Sequence, residues 1–133
     1  MLIKSAYPWL DAYSGAASLA QMQANNPDAQ GRPRPLEKLC AGQTLLCRTL
    51  GLKVPDWDAQ RFDWQRLFVE DVGERPAQIV QTTRLGIPHG RDEHLPYRFV
   101  EATFARHCTR NPLRRGQIEG RDFQLLHPED NHR

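Results

Sequence analysis

The chain has 133 residues, of which 39% are hydrophobic and 26% charged, a composition typical of a globular domain that buries a core without disulfide or metal support. No apolar run reaches the ~18 residues of a membrane span, and Lys4, Pro8 and Asp11 interrupt the N-terminal segment before a signal-peptide core can form. We therefore expect one globular domain over residues 1–126 with a flexible tail at 127–133, located in the cytoplasm and without a membrane partner.

The first predicted element is a helix over residues 8–24. Pro8 suits a first helical turn, and the Asn-Asn-Pro run at 25–27 ends the helix. A helical projection places its apolar and small side chains on one face, which predicts a helix with a small-residue face. That face consists of Trp9, Leu10, Tyr13, Ala16, Ala17, Ala20 and Ala24.

The second predicted element is a helix over residues 36–50, stopped by Gly51 in the left-handed conformation, with Leu52 as the apolar residue beyond it. Gln43 lies on the apolar stripe of this helix, where a satisfied buried amide is favoured over an interface residue. The stripe consists of Leu36, Leu39, Cys40, Leu46, Cys47 and Leu50.

The cysteines predict reduced thiols. Cys40, Cys47 and Cys108 are an odd number without framework spacing, which argues against a secreted disulfide scaffold. Because leucines flank Cys40 and Cys47 on the same helical face, we interpret this pair as core residues and not as metal ligands.

Two further helices are predicted between residues 58 and 85. Asp58 is a suitable N-cap for a helix over 58–72, and Gly86 follows a segment, 77–85, that ends as the second helix does. The β-branched residues of 77–85 keep a strand open there, and a strand around 64–72 is the corresponding alternative.

A fifth helix is predicted over residues 96–110, closed by the Asn-Pro pair at 111–112, with His107 as a hydrogen-bonded core residue. Helices 36–50 and 96–110 are expected to pack against each other. The predicted fold is therefore mainly α, a compact bundle of about four to five helices with a short C-terminal β-hairpin as an option. The alternative is an α+β fold with strands around 64–72 and 77–85.

The order of a helix, a turn at Gly51 and a second helix over residues 36–72 is compatible with a helix-turn-helix. Asp56, Asp58 and Asp63 would place negative charge at the start of the recognition helix, where DNA phosphates approach. An ordinary helical bundle is favoured for this reason.

The C-terminal half carries a cluster of basic residues. The chain has 15 arginines and 3 lysines, and the segment 98–121 holds six arginines against Glu101 and Glu119. Such a patch can follow a phosphate backbone, although codon bias also explains an arginine preference and a solvated face explains the cluster. The candidate nucleic-acid-binding residues are Arg98, Arg106, Arg110, Arg114, Arg115 and Arg121.

The segment 88–96 places His89, Glu93 and His94 between two prolines. The two histidines are five residues apart, which does not match the i, i+4 spacing of a helical zinc site. Prolines, Gly90 and three consecutive charged residues favour a solvated loop. We predict no metal and no cofactor.

These observations predict a small non-enzymatic protein that contacts a nucleic-acid backbone or a nucleoprotein complex through the arginine patch. One alternative is an adaptor or inhibitor that binds an acidic protein surface. A second is a metal-independent ribonuclease that uses His89, His94 or His107 as acid and base.

Overall fold

The computed structural model describes residues 1–128, and the chain divides into two compact units. Unit 1 comprises residues 1–71 and 107–109, and unit 2 comprises residues 72–106 and the chain from Arg110 onward. Within the described part, no helix has the length and apolar character needed to cross a membrane. The domain boundaries predicted from the sequence stay a prediction, and residues 129–133 of the predicted tail lie outside the described residues.

The first helix of unit 1, α1 (Gly15–Asn25), is shorter than predicted. The Asp11 carboxylate accepts hydrogen bonds from the backbone N–H groups of Tyr13 (2.8 Å) and Ser14 (2.6 Å), so a turn replaces the predicted first turns of the helix. The predicted end before Pro27 is confirmed. Most of the predicted small-residue face is exposed, namely Trp9, Tyr13 and the four alanines at 16, 17, 20 and 24.

The predicted helix over 36–50 is interrupted. The structure contains a 3-10 helix, Leu36–Lys38, then a turn, then α2 (Gln43–Thr49). The Thr109 hydroxyl donates to the Ala41 carbonyl in this turn. A Cβ on Gly42 would lie 2.8 Å from the Thr109 hydroxyl oxygen, so any larger residue would displace the Thr109 side chain. Gln43 is exposed, so its predicted burial is wrong.

The predicted helix stop at Gly51 is confirmed. Gly51 has φ +66°. Its N–H donates to the Arg48 carbonyl (3.0 Å), and the Leu52 N–H donates to the Cys47 carbonyl (2.8 Å). These two bonds are the Schellman pattern, in which a left-handed residue satisfies the last carbonyls of a helix.

Replacing Gly51 with alanine is expected to lower the free energy of unfolding by about 1 kcal/mol, because an L side chain is strained at this φ. A Cβ there would meet the Asn25 side chain only at an ordinary contact distance of 3.7 Å, so the loss comes from the backbone. Urea denaturation measures it. Gly51→Asn is the control, since asparagine tolerates the left-handed region and should lose less. Equal losses would contradict the backbone explanation.

A buried polar cluster connects α1 to the segment before α2. Asn26 is 0% exposed, and its Nδ2 donates to the Leu39 carbonyl (3.0 Å) and to the Thr49 hydroxyl oxygen (3.0 Å). The Thr49 hydroxyl in turn donates to the Leu39 carbonyl (2.7 Å). Cys40 is buried beside this cluster, as predicted for a core thiol, and burial raises the pKa of its thiol. Cys47 is half-buried.

The helix predicted over 58–72 is absent. A short helix, α3 (Val54–Trp57), ends where that helix was expected to begin, and Ala59 adopts φ +58°. Beyond it, Asp63 and Leu67 exchange two backbone hydrogen bonds of 2.8 Å around a tight turn, and the Asp63 carboxylate accepts the Gln65 N–H. Aspartate favours such local turns over a helix interior. No recognition helix is present in this segment, and neither is the alternative strand around 64–72.

Unit 2 is built on a three-stranded antiparallel sheet of β1 (Ile79–Thr82), β2 (Arg98–Glu101) and β3 (Phe123–Leu126) in the order β2-β1-β3. Val80 on the central strand is fully buried and pairs with Val100 and Leu125. The fold is therefore α+β, and the mainly α prediction is wrong. The alternative of a strand within 77–85 matches β1, where β-branched residues favour extended backbone.

The structure has a strand and a 3-10 helix in place of the fifth predicted helix, and a strand paired with β1 in place of the predicted hairpin. Residues 98–101 form β2, and a 3-10 helix, Ala102–His107, follows directly. Phe99 on β2 is 58% exposed because side chains alternate between the two faces of a strand. At the C-terminus, β3 pairs with β1 across the sheet and forms no hairpin around Gly120.

A candidate nucleic-acid interface

One end of the sheet in unit 2 brings three separate chain segments together. Thr82, the last residue of β1, pairs with Arg98 at the start of β2 and with Phe123 at the start of β3. The loops that leave β1 and enter the other two strands therefore meet at this end. They enclose a pocket of about 380 Å³ whose lining includes Arg84, Arg98, Arg110, Arg114 and Arg121, here called the arginine pocket.

Hydrogen bonds to neutral carbonyls orient two of these arginines. Arg98 Nη2 donates to the Arg110 carbonyl (3.0 Å), and Arg114 Nη1 donates to the Asn111 carbonyl (3.1 Å). The Asn111 side chain accepts the Leu113 N–H (2.8 Å), which fixes the turn that carries Arg114. Because a carbonyl has no net charge, these two bonds restrict the side chains without themselves neutralising a guanidinium group.

Among the described residues that line the pocket, Asp122 carries the carboxylate. Its Oδ2 accepts Arg121 Nη2 (2.7 Å), Arg121 Nε (2.9 Å) and the Ile118 N–H (2.9 Å). These bonds, chiefly the one from Arg121, hold the pKa of Asp122 below its usual value, so the group stays ionised at neutral pH. Asp122 therefore offsets the charge of Arg121, and the described lining has five guanidinium groups for one carboxylate.

Two arginines of the pocket have further structural features. Arg110 adopts φ +52°, a left-handed conformation that is uncommon for residues other than glycine and asparagine. Arg84 lies over the ring of Tyr97, with its guanidinium carbon 5.8 Å from the ring centroid. Such a contact orients a guanidinium group over the ring face and is compatible with a bound anion.

The structure gathers four of the six predicted residues. Arg98, Arg110, Arg114 and Arg121 line the pocket, whereas Arg106 and Arg115 do not. The predicted role of all six in nucleic-acid binding stays a prediction. Sequence reasoning missed Arg84. The strand alternative for 77–85 could have indicated it, because a strand that ends at Thr82 places Arg84 just beyond the edge of the sheet.

The histidine-containing segment 88–96 forms an irregular loop. His89 Nδ1 and His94 Nε2 lie 3.1 Å and 3.5 Å from Glu93 Oε1, and both histidine side chains are highly exposed. Glu93 also accepts the backbone N–H of Gly90 (2.8 Å) and of Arg91 (2.9 Å), and these bonds, that of Gly90 most strongly, lower its pKa. Two exposed histidines beside a partly buried carboxylate that accepts local backbone N–H groups match the predicted loop.

His107 and the other histidine, cysteine and carboxylate side chains of the described residues do not form a metal site. His107 belongs to unit 1, where its ring contacts Tyr7 with centroids 5.6 Å apart, and it is only half-buried. Within residues 1–128, no group of three histidine, cysteine or carboxylate side chains is arranged to hold a metal ion.

Comparison with known proteins places these observations in a family. The sequence model of the methylpurine-DNA glycosylase family matches residues 1–104. The chain is 74% identical over 126 residues to a Pseudomonas fluorescens protein named "Putative 3-methyladenine DNA glycosylase", a match that covers 95% of this chain and 54% of that protein. A Pseudomonas aeruginosa protein of the same name is 69% identical over 132 residues, covering 99% of this chain and 55% of the relative.

The chain thus spans about half the length of the curated relatives it matches. No solved structure matches it.

Proposed function

We propose that this chain, which belongs to the methylpurine-DNA glycosylase family, forms part of a DNA glycosylase that removes alkylated purines such as 3-methyladenine. The observation that carries the proposal is the 74% identity over 126 residues to a relative with that name. Family membership supports an enzyme over the predicted non-enzymatic binder and gives no support to the adaptor. It agrees with the predicted nucleic-acid partner, which we propose to be DNA.

The proposed reaction is hydrolysis of an N-glycosidic bond. A water oxygen bonds to C1′ of the deoxyribose and loses a proton, while the bond from C1′ to the purine nitrogen breaks and its electron pair leaves with the base. Methylation of the purine places positive charge on the base, so the departing group is neutral and leaves more readily. An enzyme that acts on one base of a duplex must also extrude that base from the stack, which requires a firm grip on the backbone around it.

We assign DNA contact, and not the hydrolytic step, to the described residues. The arginine pocket supports this assignment because its described lining has five guanidinium groups and one carboxylate. Guanidinium groups also match the geometry of phosphate oxygens. Phosphate contacts position a protein on DNA without reading its sequence. That behaviour suits an enzyme whose target is a damaged base in any sequence context.

Direct binding is the first test. We expect the chain to bind a fluorescein-labelled DNA duplex in an anisotropy titration, with an affinity that falls as salt rises. The slope of log affinity against log salt should be about −0.9 for each phosphate contacted. A chain that shows no binding even at low salt would contradict the assigned DNA contact.

A chimera tests the enzymatic part of the proposal. The matching segment of the Pseudomonas fluorescens relative is replaced by this chain, and release of 3-methyladenine from methylated DNA is measured by chromatography. Because the replaced segment is 74% identical, we expect activity within about tenfold of the unmodified relative, which serves as the control. A folded chimera that binds DNA and releases no methylated base would refute the proposed function.

A further inference from the structure

The backbone at Arg110 has an unfavourable conformation that the local sequence does not require. Arg110 is an L residue with φ +52°, and residues held in this region persist only where surrounding contacts impose it. Its carbonyl accepts Arg98 Nη2 at 3.0 Å, which ties the turn to the first residue of β2. Glycine would adopt the same turn without strain and would keep this backbone hydrogen bond.

The position also concentrates like charges. Arg110 and Arg114 line the same pocket as three other arginines, and within residues 1–128 neither forms an ion pair closer than 4.0 Å, although Asp122 attracts Arg114 at longer range. Guanidinium groups that share a pocket repel one another. A bound anion would attract each guanidinium group and so offset this repulsion. Thr83 and Gln117, whose side chains can donate to phosphate oxygens, line the pocket as well.

We infer that the arginine pocket binds one backbone phosphate of DNA, and that the left-handed turn at Arg110 serves to place the Arg110 guanidinium beside Arg114 for this contact. The inference rests on the proposed function for its choice of ligand, since DNA supplies phosphate diesters. Planar guanidinium groups bind phosphate oxygens through paired N–H donors, which a lysine ammonium does not reproduce.

The substitution Arg110→Gly separates this role from a structural one. Glycine relieves the backbone strain and removes the guanidinium group. We expect the melting temperature to stay the same or rise, while DNA affinity falls about tenfold, the effect of losing one charge-assisted hydrogen-bonded contact. The salt slope should become shallower by about 0.9. A purely structural arginine would show no change in affinity.

Two matched controls accompany Arg110→Gly. Ala59 also has a left-handed backbone, φ +58°, in unit 1, so Ala59→Gly should relieve strain in the same way without changing DNA affinity. Arg114→Gln and Arg115→Gln remove the same charge from adjacent positions, of which only the first lines the pocket. We expect Arg114→Gln to weaken binding about tenfold and Arg115→Gln distinctly less.

The outcomes distinguish this inference from the proposed function. If the unmodified chain binds DNA but Arg110→Gly and Arg114→Gln bind no more weakly than Arg115→Gln, the phosphate site is refuted and the proposed function stands. If the unmodified chain does not bind DNA at all, the phosphate site and the assigned DNA contact are both overturned, and the chimera alone tests the enzymatic function. Loss of affinity in Arg110→Gly together with a lower melting temperature would refute the proposed role of the turn. Arg114→Gln then tests the phosphate site without a backbone change.

Discussion

Replacing Leu39 with alanine is expected to lower the free energy of unfolding by about 2–5 kcal/mol, the usual cost of an unfilled cavity in a packed core. Leu39 is 0% exposed and lies in the turn between the 3-10 helix Leu36–Lys38 and α2. Its carbonyl accepts both Asn26 Nδ2 and the Thr49 hydroxyl, and the substitution keeps these backbone contacts. The loss therefore comes from side-chain packing.

Tryptophan fluorescence during urea denaturation measures this loss, because all three tryptophans of the chain lie in unit 1 with Leu39. Leu50→Ala is the matched control. Leu50 belonged to the same predicted helical stripe, but it is 48% exposed and should lose less than about 1.5 kcal/mol. Equal losses at the two positions would support the uninterrupted helix and contradict the observed turn.

Replacing Asn26 with alanine is expected to lower the free energy of unfolding of unit 1 by about 2–3 kcal/mol. The side chain is fully buried, and its Nδ2 contacts the Leu39 carbonyl and the Thr49 hydroxyl oxygen at 3.0 Å each. Removing the donor leaves buried acceptors with fewer partners, and the loss of a buried hydrogen-bonding group is a large effect for a single substitution.

The neighbouring asparagine is the control for Asn26→Ala. Asn25 Nδ2 also donates to α2, to the Thr49 carbonyl at 3.1 Å, but the residue is exposed and water can replace the bond. Asn25→Ala should therefore lose less than about 1 kcal/mol in the same urea experiment. A loss at Asn25 as large as that at Asn26 would mean that the buried cluster does not hold α1 to α2.

Two helix ends were predictable because their signals are local. Gly51 stops α2 through its own φ and two hydrogen bonds, and Pro27 follows the end of α1. Both features depend on a few consecutive residues. The helix periodicity of 58–72 misled because aspartates support turns as readily as helix starts, and Asp63 forms a turn in this chain.

The candidate site was predictable in composition and not in arrangement. The run of arginines after residue 98 was visible in the sequence, and four of the six named residues line the pocket. Local sequence patterns do not show which side of a strand or loop each arginine occupies, so the prediction included Arg106 and Arg115, which do not line the pocket. Arg84 was missed because it lies in a different segment and reaches the pocket only through strand pairing.

By itself, the sequence determined the features that depend on neighbouring residues: the left-handed stop at Gly51, the end of α1 before Pro27, and the concentration of arginine after residue 98. Only the tertiary structure decided that residues 79–82 pair with both 98–101 and 123–126. Strand pairing depends on hydrogen bonds between residues far apart in the chain, and a short segment with ambiguous periodicity adopts whichever structure those distant partners stabilise.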